Sequence, residues 1–199
     1  MSSANSIGRI LDAALALVSR RGDARVTMAQ IAKAARVSRQ AVYLHFKDRA
    51  DLMVALARHL DQTLGLPAEI ERIVSAPSGA AMIDAQVSLQ ARRNPALWAV
   101  ARAVDAVRRT DAAAQRAWQD RLDHRLEGCR SIVARLESEG NLRTGLDPSM
   151  AADLLWTMTS LRTWEDLVLQ RGWPPQQYQQ QVTRLLLEEL TRTGAGTTL

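Results

Sequence analysis

Arg39, Gln40, Ala41 and Tyr43 lie within five residues of one another, and their side chains suit a surface that reads a nucleic acid. Arginine can donate two N–H bonds to guanine and glutamine can pair with adenine. A small alanine lets a thymine methyl approach closely. Thr27, Arg36, Ser38, Tyr43, His45 and Lys47 surround them with hydroxyl, imidazole and cationic groups suited to phosphate oxygens. Arg39 and Gln40 would then read bases, and the rest would set register.

Catalytic chemistry finds no comparable set. His45, His59 and His124 have no metal-ligand spacing, and no glycine-rich phosphate loop follows a strand-like segment. Nothing resembles a nucleophile elbow. The expectation is a protein without enzymatic activity, metal or cofactor.

The elements that must hold the reading residues are legible as capping signals. Thr27 followed by Gln30 is a capping box opening a short helix, Ser38 caps the next, and Asp48 caps a fourth running to about Leu64. Ahead of them, Ile7, Ile10, Leu11, Ala14, Leu17 and Val18 line one face of a first helix that Gly22 would end. Ile31, Val37, Val42 and Phe46 form the apolar wedge of a helix-turn-helix, with small Ala32 at the crossing.

Period-3.6 patterning continues to the end with no period-2 segment, so the fold expected is all-α with about nine helices. Gly65, Pro67, Pro77 and Gly79 mark a connecting segment in which AEIERIV adds a helical turn or two. Five body helices are expected near 79–93, 95–109, 111–139, 148–171 and 174–192. Asn94-Pro95, Asp147-Pro148 and Pro174-Pro175 serve as starts. The domains are therefore 1–64, the connection 65–78, the body 79–192 and a disordered tail 193–199.

Charge follows the same division. Residues 1–60 hold ten Lys and Arg against four Asp and Glu, whereas residues 61–199 hold sixteen against seventeen. The whole net charge of +5 thus sits in the first third, a basic head on a neutral body. A single cysteine, Cys129, excludes a disulfide framework, and no apolar run is long enough to cross a membrane. The opening MSSANSIGRI has no signal-peptide character, so a cytoplasmic location and no membrane partner are expected.

The segment TMAQIAKAARVSRQAVYLHFKDRADL, with Gly22 before it, resembles the DNA-binding domain of the tetracycline-repressor-like (TetR) family of bacterial transcriptional regulators. The likeness spans roughly residues 7–60. Weaker likenesses at GNLR (140–143), DPSMAADLLW (147–156) and RGWPPQQY (171–178) resemble entrances to the family's last two helices. The resemblance implies a homodimer on a pseudo-palindromic double-stranded DNA operator and an inducer bound by the divergent middle. One position departs from the pattern: Arg36 stands where such turns usually carry glycine.

Candidate inducer-pocket residues are Met82, Gln86, Trp98, Arg102, Trp118, Leu122, Cys129 and Trp156, each of which could instead fill a core or face solvent. Arg102 and Asp105 either pair on the outside or orient a ligand. The 148–171 stretch is apolar over a wide arc. Its Leu154, Leu155, Met158, Leu161 and Trp164, with Val182, Leu185 and Leu186 of the last helix, suit a four-helix dimer interface. An internal core helix is the alternative. The reading is a dimeric repressor released by a small-molecule inducer; a ligand-independent regulator and a redox sensor through Cys129 are the alternatives.

Overall fold

The computed structural model describes residues 3–21 and 26–192. Gly22, expected to end the first helix, and the 193–199 tail lie outside them. Among the described residues the chain forms ten α-helices and one π-helical stretch. These are α1 (Ser3–Arg21), α2 (Met28–Ala35), α3 (Arg39–His45), α4 (Arg49–Thr63), α5 (Leu66–Val74), α6 (Gly79–Arg108) and α7 (Ala112–Ser138). There follow α8 (Pro148–Met158), α9 (Leu161–Trp164), the π-helical Glu165–Gln170 and α10 (Pro175–Leu190). The all-α expectation holds; the sole β feature among these residues is an isolated Leu142–Thr191 bridge.

The signals that start helices locally are realised as side-chain hydrogen bonds. Asp48 accepts from the Asp51 amide at 2.9 Å, and Asp147 accepts from the Ser149 and Met150 amides at 2.9 and 3.1 Å. Asp111 accepts from Ala114 at 2.8 Å. Each satisfies an N–H that the first helical turn leaves without a partner. At the far end of α7, Gly140 has φ +64°, a left-handed conformation that stops the helix near its expected end at residue 139.

Two expected boundaries are corrected. Asn94-Pro95 does not open a helix; α6 runs through Pro95 without a break. An internal proline costs about 3 kcal/mol through its missing N–H and its ring clash. Fully buried Ile83 and Val87 before it, and Val100 and Ala103 after it, favour one continuous helix by more than that. The expected 148–171 helix is interrupted instead at Thr159-Ser160. The Thr159 hydroxyl donates to the Leu155 carbonyl at 2.7 Å, and extended Ser160 accepts from the Thr163 amide at 3.0 Å. Hydroxyl side chains here end one helix and cap the next, competing with the backbone ladder.

Two compact units cut the chain differently from the expected domains. The first runs to Leu66 and takes in Pro95–Arg121; the second joins Pro67–Asn94 to Leu122 and beyond. In the first, α1 packs on α2 and α4, and α2 on α3. Fully buried Ile10, Ile31, Val42, Leu52, Met53 and Leu56 share one core with Val100, Ala103 and Val104. Full burial of each large side chain contributes about 1.5–3 kcal/mol. In the second, Ile83, Val87, Ile132, Leu136, Leu155, Tyr178, Val182 and Leu190 are buried. Gly79 allows a close approach there: a β-carbon would come within 2.9 Å of the Leu136 backbone nitrogen.

Candidate nucleic-acid interface

The reading head is built by its caps. Thr27 and Gln30 close the box reciprocally: the Gln30 amide donates to Thr27 Oγ1 at 3.3 Å, and the Thr27 amide donates to Gln30 Oε1 at 2.9 Å. Ser38 Oγ accepts from the Ala41 amide at 3.0 Å and so starts α3. Both hydroxyls keep a proton to donate outward. Between α2 and α3, Arg36 adopts φ 55° and ψ 45°, the left-handed conformation its place in the turn demands. Its amide donates to Lys33 O at 3.3 Å, and the Val37 amide donates to Ala32 O at 3.0 Å.

Helix α3 turns Val42 and, just beyond its end, Phe46 into the core. The opposite side presents Arg39 and Gln40 exposed, with Ala41 and His45 half-buried. Thr27, Arg36, Ser38 and Lys47 are exposed as well. The structure therefore gathers all nine sequence-predicted residues in or beside one helix-turn-helix. Arg39 is not independent of Tyr43: its guanidinium lies 5.5 Å from the Tyr43 ring centroid, and Nη2 donates to the hydroxyl at 3.5 Å. The ring thereby restricts a flexible cation before it meets any partner.

Sequence reasoning missed Leu44, which is 83% exposed. The signal was available, since four residues past Gln40 is the same helical face, away from the Val42–Phe46 stripe. An exposed leucine beside Gln40 and Ala41 offers apolar contact suited to a thymine methyl.

Arg36 carries a prediction. Arg36→Gly removes left-handed strain and is expected to raise stability to urea by about 0.5–1 kcal/mol. The same change should weaken DNA binding and flatten its salt dependence by about one charge. Unchanged or lower stability in a urea titration would contradict the strain argument.

The candidate pocket residues divide between the two units. In the first, half-buried Trp98 and Trp118 pack against the core. Arg102 is exposed and lies 5.6 Å from the Trp98 ring. Asp105 binds Arg108 at 2.6 Å and Arg109 at 3.2 Å. Burial works against its charge, but these two guanidinium groups hold the carboxyl below its ordinary range.

In the second unit, Met82 is buried and Gln86 half-buried on α6. Leu122, Cys129 and Trp156 meet around a residue the sequence reading passed over, Arg125. Its guanidinium stacks 4.2 Å from the Trp156 ring centroid, and Nη1 donates to Trp156 O at 2.6 Å and Thr159 Oγ1 at 3.4 Å. Trp156 Nε1 donates to Leu122 O at 3.4 Å. Burial pushes the Cys129 thiol up to about 11, against the pull of Arg125, and only 1% of the residue is exposed. A redox sensor needs an accessible thiolate, so Cys129 meets neither requirement. Tyr178 is fully buried and its hydroxyl has no hydrogen-bond partner. Leaving such a donor unpaired costs about 1–3 kcal/mol.

Among the expected dimer residues, Leu155, Trp164, Val182 and Leu186 are buried within the single chain and belong to its core. A period-3.6 pattern shows that a face is covered, not what covers it. Leu154, Met158 and Leu161 are half-buried and Leu185 is exposed, with Met150 and Leu169 as further exposed apolar groups. Among the described residues no cluster of three His, Cys, Asp or Glu could hold a metal, and no helix is long and apolar enough to cross a membrane.

Residues 10–56 match the family described as bacterial regulatory proteins, tetR family. A 56-residue stretch is 43% identical to the HTH-type transcriptional regulator AcrR of Shigella flexneri. That stretch is 28% of this chain and 26% of the relative, so the match spans about a quarter of the relative's length. Among solved structures, a putative transcriptional regulator from Saccharomonospora viridis in complex with choline superposes with a TM-score of 0.82 at 17% identity, covering 96% of this chain and 100% of that one. SmeT, the repressor of the Stenotrophomonas maltophilia multidrug efflux pump SmeDEF, gives a TM-score of 0.67 at 21% identity, covering 98% and 92%. At such identities the likeness is one of fold.

Proposed function

We propose that this chain, whose residues 10–56 match the tetR family of bacterial regulatory proteins, is a member of that family and a homodimeric transcriptional repressor released from its operator by a small molecule. The observation that carries the reading is α3, a capped helix with a buried back and the ordered Arg39–Tyr43 pair on its outward face. Each protomer would place α3 in a major groove, Arg39, Gln40, Ala41 and Leu44 against base edges. Thr27, Arg36, Ser38, Tyr43, His45 and Lys47 would hold phosphates. Two such helices about 34–36 Å apart require an operator with dyad symmetry.

Support for ligand release is of two kinds. Similar folds include one solved with choline and a repressor of an efflux pump. Within this chain, α4 is joined to α7: Arg121 Nη2 donates to Asp61 Oδ1 at 3.2 Å, with a second, shorter bond beside it. Arg125 follows Arg121 by one helical turn on α7. A ligand that binds one conformer of this helix more tightly would shift the position of α4 and, through it, α3. Dimerisation would use exposed Met150 and Leu185 with half-buried Leu154 and Leu161.

The test is selection of bound duplexes from random genomic fragments, followed by gel shift on the recovered site. A dyad-symmetric consensus with half-sites one helical turn, or a multiple of it, apart supports the reading. Binding to every fragment alike would overturn it.

A further inference from the structure

We propose that Arg49 is a positioning residue of the nucleic-acid interface: its Nε–H holds the Val26 carbonyl and so fixes the start of α2, with Thr27, against the base-reading face of α3. This rests on the DNA-binding reading above and adds to it a residue that sets specificity without touching a base.

Arg49 is the first residue of α4, and its own place is set by the cap of that helix. Asp48 accepts from the Asp51 amide at 2.9 Å, and the Lys47 amide donates back to Asp51 Oδ2 at 3.0 Å. This reciprocal pair binds the chain leaving α3 to the first turn of α4. From there half-buried Arg49 reaches back 23 residues, and its Nε donates to Val26 O at 3.1 Å.

Val26 is fully buried, and its carbonyl stands outside the α2 ladder, whose first acceptor is Thr27 O at 3.1 Å from the Ile31 amide. A buried carbonyl with no place in a helix needs a donor from elsewhere, and Arg49 supplies one. Thr27 is the next residue along, so the same bond fixes where the Thr27 hydroxyl stands.

These groups share an open cleft of about 540 Å3 between α2 and α3. Thr27, Arg39, Tyr43 and Arg49 are among its walls, and no carboxylate lines it among the described residues. Arg39 can read a base while Thr27 holds a phosphate of the same duplex only if the two walls keep a fixed separation. A loosened wall penalises the operator complex, which needs both contacts at once, and leaves sequence-independent phosphate binding almost untouched.

Two substitutions separate the bond from the charge. Glutamine Nε2 is attached to Cδ, as arginine Nε is, so Arg49→Gln keeps the donor and drops the charge. Lysine puts Cε at that place, so Arg49→Lys keeps the charge and drops the donor. Competition gel shifts on the full chain, at two salt concentrations, would give affinities for the selected operator and for a random duplex. Arg49→Lys should lower the operator-to-random ratio about fivefold or more, since a bond worth roughly twofold at the least is lost in each of two protomers. Its salt slope should stay that of wild type. Arg49→Gln should keep the wild-type ratio. A ratio kept by Arg49→Lys, or lost equally in both variants, overturns the proposal. So does an Arg49→Lys chain that loses stability in a urea titration yet keeps its ratio, since Arg49 would then support the fold and not the site. If the wild-type chain shows no operator preference, the DNA-binding reading fails and the proposal with it; a wild-type preference that Arg49→Lys retains sinks the proposal alone.

Discussion

Arg39→Ala and Gln40→Ala should each relax preference at one operator base pair, at a cost of about 1–3 kcal/mol on the preferred site. Lys47→Ala should instead weaken every sequence alike and reduce the slope of log affinity against log salt by about one. The division follows from position. Arg39 and Gln40 occupy the first turn of α3, while Lys47 lies beyond its end, where its amide donates to Asp51 Oδ2 at 3.0 Å. The Arg39–Tyr43 contact refines the expectation. Tyr43→Ala frees the Arg39 side chain without removing it, so affinity should fall more than base preference does. Competition binding against single-base operator variants at two salt concentrations measures both quantities. Equal loss of preference in Arg39→Ala and Lys47→Ala would show that the roles are not divided this way.

What could be read in the sequence was whatever is decided within four residues. Thr27 with Gln30, Ser38, Asp48 and Asp147 cap helices because the groups they satisfy lie two or three positions away. The odd Arg36 was legible for the same reason, a turn that requires φ > 0 whatever residue fills it. Pro95 misled because its local preference, a helix start, was outweighed by burial along both halves of α6. Thr159-Ser160 misled in the opposite sense, two unremarkable residues whose hydroxyls interrupt an apolar run. Arg125 was invisible among the many arginines of a 24% charged chain, since what distinguishes it is contact with Trp156 and Thr159, more than thirty residues away. Leu44 was passed over because an apolar residue on a short helix is assumed to point inward.

The same limit governs the apolar stripe of α8 and α10, and a pair of substitutions separates its two uses. Leu155 is fully buried within one chain, so Leu155→Ala should lower the unfolding free energy by about 2–5 kcal/mol through lost burial and a cavity. Leu185 is 42% exposed, so Leu185→Asp leaves the isolated chain's core intact. In the proposed dimer, however, it would place a charge in an apolar contact without a partner, where the desolvation cost exceeds that of any lost packing. Leu185→Asp should therefore appear as a helical monomer by analytical ultracentrifugation, with operator binding lost because one α3 cannot span two half-sites. Its unfolding midpoint should no longer rise with protein concentration, as that of a dimer does. Leu155→Ala should keep that concentration dependence at a lower midpoint. If Leu185→Asp remains dimeric, the contact lies elsewhere on the chain, and exposed Met150 and Leu169 are the next apolar groups to charge.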